Sequence, residues 1–102
     1  MDVGVVAWGS TFGLALEAVK KSQQEGMKAG ALKVTSLYPY HAEEIRKFMD
    51  KCRVILIPEL NYEGQLANLI GHLHKKEVVR LNQSTGVPMS PSIILERIES
   101  LV

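Results

Sequence analysis

Cysteine is nearly absent: Cys52 stands alone among 102 residues. One thiol forms no internal disulfide, so the chain folds without covalent staples, and a reducing compartment suits it. Charge of one sign is missing as well. A formal net charge of +1 raises no broad field toward nucleic acid or an anionic membrane. No apolar run approaches the ~20 residues that cross a bilayer, and the amino terminus carries no signal-peptide pattern. These absences predict a cytoplasmic protein with no nucleic-acid and no membrane partner. The glycine motifs of nucleotide sites are also missing, since neither G-x-G-x-x-G nor the Walker pattern occurs.

What is present is material for one core. Hydrophobic residues make up 46% of the chain and charged residues 23%, ordinary for a single globular domain of this length. The organising stretch is residues 54–66, VILIPELNYEGQL. Four consecutive aliphatic residues, without polar alternation, predict a strand buried on both faces of a parallel sheet. Pro58 is expected to end its ladder, because proline donates no backbone hydrogen bond. A polar turn then feeds a helix with Leu66, Leu69, Ile70 and Leu73 at helical spacing.

The remainder repeats the same unit. Residues 3–8 form a second continuous apolar strand, and Ser10 or Thr11 caps a helix that runs to about Gln24 and leaves through Gly26. Residues 28–36 read as a weaker strand. Its lysine and glycine belong at an edge. A helix over 42–51 turns Ala42, Ile45, Phe48 and Met49 inward. A short charged strand over 77–81 suits the other edge, and Ser90-Pro91 opens a last helix with Ile94, Leu95, Ile98 and Leu101 inside. Strand and helix alternate four times, which predicts a three-layer α/β/α sandwich around a mainly parallel four-stranded sheet. With the two apolar strands central, its order is 2-1-3-4. The switch point then lies between the turn at 8–11 and the turn at 58–65, where a small ligand of such a fold would bind.

Several residues invite chemistry, and most have a plainer reading. Gly9, Ser10 and Thr11 before a helix could hold an anion, though capping is the simpler role. Glu59 could accept hydrogen bonds near Ser10 or Thr11; as a general acid or base its only nearby titrating partner is Glu63. His72 and His74, two apart on a helix, point to different sides and share no metal. Cys52 lies between Lys51 and Arg53, which favours a thiolate, yet no histidine base can be paired with it, so a bland, partly packed thiol is expected. A phospho-receiver would need an aspartate where Pro58-Glu59 stands. Trp8, Tyr38, Tyr40 and Tyr62 are four of the six aromatic residues and all fall at carboxyl ends of strands. Such residues are enriched where proteins meet. With Asn61 and Gln65 they define a candidate crevice or docking face, without catalytic, cofactor or metal ligands.

Read together, W-G-S-T at 8–11, Glu17-Ala18, E-G-M-K at 25–28, L-Y-P at 37–39 and P-E-L-N-Y-E-G-Q-L at 58–66 resemble the α subunit of 2-oxoacid:ferredoxin oxidoreductases. The domain resembled is the one similar to the carboxyl-terminal domain of transketolase. His41 departs from the pattern, where relatives continue with proline. The resemblance implies a whole enzyme that oxidatively decarboxylates a 2-oxoacid to an acyl-CoA and passes electrons to ferredoxin. It implies thiamine diphosphate, Mg and iron–sulfur clusters in that parent, none of them held by this domain. Partners are then the other domains of the α subunit and the β subunit, with coenzyme A and ferredoxin reached through the complex. On this reading residues 1–102 are a single domain, a fragment of a longer α subunit, serving structure and subunit contact. Two other readings stand beside it: an independent small-ligand or anion-binding α/β domain, and the equivalent domain of a 2-oxoacid dehydrogenase β subunit or transketolase.

Overall fold

A computed structural model describes residues 1–8, 11–34, 42–59, 77–82 and 89–102. Among these residues seven elements follow in order: β1 (Val3–Trp8), α1 (Thr11–Gln24), β2 (Ala29–Val34), α2 (Ala42–Asp50), β3 (Val54–Glu59), β4 (Glu77–Asn82) and α3 (Pro91–Leu101). The four strands form one sheet in the order β2-β1-β3-β4, every pair parallel. The sandwich, its strand order and its central and edge strands are those expected from the sequence. The helix expected to carry Leu66, Leu69, Ile70 and Leu73 lies outside the described residues.

Continuous apolarity places β1 and β3 centrally because each strand is covered on both faces. Val3, Val5, Ala7 and Leu56 face one layer, where Ala15, Ala18 and Val19 of α1 meet Ile94 and Ile98 of α3. Val6, Ile55 and Ile57 face the other, against Ile45 and Met49 of α2. Each buried aliphatic side chain contributes about 1.5–3 kcal/mol, so a polar residue at either strand's centre would work against the whole arrangement.

The helix ends follow local chemistry. Gly26 takes φ +88, and two bonds close the end of α1, from Met27 N to Ser22 O and from Gly26 N to Gln23 O, both 3.0 Å. Those two bonds satisfy carbonyls that the helix itself leaves open. At α3, Ser90 Oγ accepts from Ile93 N at 3.3 Å, with proline in the first turn. Thr11 is the first residue of α1, while the alternative cap, Ser10, lies outside the described residues.

Pro58 meets expectation on the β1 side and departs from it on the β4 side. It stays within β3, in register with Leu81, and β3 runs on to Glu59 opposite Asn82. The reason lies in the direction of the missing donor. Val54 N donates toward β1, to Asp2 O at 3.0 Å, and every second residue of a strand points the same way. The nitrogen of Pro58 therefore faces the β1 side, and the β1–β3 ladder stops at Val5 and Leu56, the rung before the one that would need its N–H. Pairing with β4 uses the other side of the strand and continues.

Candidate functional site

The central ladder is short at its carboxyl end. β1 pairs with β2 along six positions, through Trp8 and Val34, and β3 pairs with β4 along six. Between β1 and β3 the register covers three, ending at Val5 and Leu56. Residues 6–8 and 57–59 thus leave that ladder at the switch point, the place where open α/β sheets form a crevice.

Of the residues that the sequence assigns to this rim, Trp8 and Thr11 are fully described. Trp8 closes β1 and is 36% exposed, while Thr11 opens α1 and is 5% exposed. The backbone of Glu59 ends β3 beside Asn82 of β4, inside the strand rather than in the turn expected to follow Pro58; its carboxylate lies outside the described residues. So do Gly9, Ser10, Tyr38, Tyr40, Asn61, Tyr62 and Gln65, and the His72 and His74 pair.

The fold brings two further residues to the rim. The Nζ of Lys33, near the end of β2, sits 5.8 Å from the ring centroid of Phe12 in the first turn of α1. That distance permits a cation–π contact and sets a positive charge beside the helix start. In sequence Lys33 reads only as an edge-strand charge. The signal that finds it is parity: Ala29 and Ala31 pack toward α1, and Lys33 shares their face of the strand.

Cys52 is more enclosed than a partly packed thiol. It is 1% exposed, and its Sγ donates to the carbonyl of Phe48 at 3.3 Å. Burial withholds the sulfur from solutes despite its basic neighbours in sequence. On the opposite flank, an open cavity of about 330 Å³ is lined by Leu81, Ile93, Glu96, Arg97 and Ser100; it includes none of the expected rim residues. Among the described residues no helix is long and apolar enough to cross a membrane.

These features define a parallel three-layer α/β domain with an exposed aromatic at its switch point. The chain belongs to the pyruvate:ferredoxin oxidoreductase core domain II family, whose model matches residues 1–93. It is 32% identical to the 2-oxoglutarate synthase subunit KorA of Methanothermobacter marburgensis, over 84% of this chain and 27% of that protein. It superposes with a TM-score of 0.88 and 30% identity on a 2-oxoglutarate:ferredoxin oxidoreductase from Magnetococcus marinus, a structure with 2-oxoglutarate, coenzyme A and succinyl-CoA bound. That match covers 97% of this chain and 17% of the other. A split-gene transketolase shares the fold at a TM-score of 0.79 and 20% identity, over 98% of this chain and 38% of its own. The chain thus spans about a quarter or less of the oxidoreductase chains it matches.

Proposed function

We propose that this chain is a non-catalytic structural and subunit-contact domain of a 2-oxoacid:ferredoxin oxidoreductase, a single domain within a longer α subunit. The whole enzyme decarboxylates a 2-oxoacid to its acyl-CoA and delivers electrons to ferredoxin in the cytoplasm. Thiamine diphosphate, Mg and iron–sulfur clusters are held by its other parts. The carboxyl rim around Trp8 and Thr11 meets the other α domains or the β subunit. The observation carrying this reading is the family match over residues 1–93, joined to a small share of each relative's length. Cys52 is consistent with it: clusters draw on several cysteine thiolates, and this one thiol is buried.

The test is to tag the chain in the cell that encodes it. Recovery together with oxidoreductase subunits is expected, and the purified chain alone, given thiamine diphosphate, coenzyme A and an electron acceptor, turns over no 2-oxoacid. Turnover by the pure chain overturns the proposal. Recovery alone, with a melting temperature raised by millimolar phosphate or a dicarboxylate, favours an independent anion-binding domain instead.

A further inference from the structure

Among the described residues nothing requires Gly13 to be glycine. It lies on the outward face of α1, opposite the buried Thr11, Ala15, Ala18 and Ser22. Left-handed backbone is not the cause, because among the described residues Gly26 alone has a positive φ. Crowding is not the cause either: a Cβ on Gly13 would meet nothing among the described residues within 4 Å. Nor does Gly13 cap the helix, being the third residue of a 14-residue helix, where alanine has the higher helix propensity. An exposed helical glycine with no described residue above it fits a backbone that approaches from outside.

The charge around it indicates what approaches. Glu17 is already engaged by Lys21 at 3.9 Å. Lys20 lies two turns further along the face of Gly13, and Lys33 flanks that face through Phe12; among the described residues neither has an ion pair. We propose that the outward face of the first three turns of α1, from Gly13 to Lys20, receives an acidic segment of another subunit of the oxidoreductase. Its backbone closes on the Gly13 Cα, and its carboxylates meet Lys20 and Lys33. The inference rests on the subunit-contact reading above, and it is continuous with the rim because α1 starts there.

The experiment compares wild type, Gly13→Ala and Gly13→Trp by tagged recovery of the oxidoreductase and by melting of the purified chain. Gly13→Ala should raise the melting temperature of the chain by a few degrees, since it adds helix propensity in open space. Gly13→Trp should melt within a few degrees of wild type yet recover at least about tenfold less of the other subunits. Lys20→Glu with Lys33→Glu should weaken recovery in the same way. Full recovery with Gly13→Trp overturns the inference while the subunit-contact reading stands. Failure of the wild-type chain to recover any oxidoreductase subunit overturns both.

Discussion

Gly4 of β1 lies directly beneath Cys52. A Cβ added at Gly4 would overlap the Cys52 Sγ and come within 2.9 Å of a ring carbon of Phe48. The absent side chain lets Phe48 of α2 and Cys52, in the link between α2 and β3, rest on the sheet backbone. Gly30, in register with Gly4, repeats the device on β2, where the sulfur of Met1 occupies the space a Cβ would need.

Gly4→Ala should therefore destabilise the chain by about 1–3 kcal/mol, the usual cost of overpacking a filled core. Cys52→Ala removes the nearer obstacle, so the double variant should lose less than the two single losses combined. Urea denaturation of the four proteins measures this coupling. Strict additivity would mean that the two positions do not share the space described.

Ser90→Ala removes the acceptor of the Ile93 N–H and should cost about 1 kcal/mol, within the ~0.5–2 typical of a lost N-cap. Ser90→Asp should retain most of that stability. Thermal melting of both variants checks the ordering.

Glu99 on α3 titrates above the ordinary glutamate value of 4.5; partial loss of hydration is the main cause, followed by the charge and hydrogen bond of Glu25 and the charge of Glu96. Between 4.5 and that raised value the folded chain keeps a proton the unfolded chain has released. Stability falls as pH rises through this window, and the penalty persists above it. Glu99→Gln should be the more stable protein at neutral pH, its advantage shrinking as pH drops toward 4.5. Denaturation midpoints taken across that range read the difference.

Trp8→Ala tests the rim. Loss of an exposed aromatic anchor should cut recovery of the oxidoreductase by about tenfold or more. Melting of the isolated variant distinguishes a lost contact from a weakened fold, because Trp8 lies outside both buried clusters.

Much of this architecture is written locally. Residues 3–7 and 54–57 are apolar without interruption, and only a central parallel strand buries both faces at once. Gly26 and Ser90-Pro91 state where helices stop and start, because the orphan backbone groups there accept few side chains. The aromatic at the end of β1 is legible for the same reason: strand and turn lengths alone carry Trp8 to the rim.

Other features depend on which strand lies next to which. Pro58 reads as a strand breaker, yet it stays in β3 because its missing donor ends only the ladder to β1, while pairing with β4 uses the other side of the strand. Lys33 reads as an edge charge until parity and the packing of α1 bring it over Phe12. Gly4 and Cys52 are far apart in sequence, and nothing local links a glycine in one strand to a thiol ahead of another. Period and capping are properties of neighbours along the chain, so the sequence alone determined the elements and their order. Close approach, burial of a thiol and the gap between β1 and β3 arise only when separate segments occupy the same space, and tertiary structure decided those.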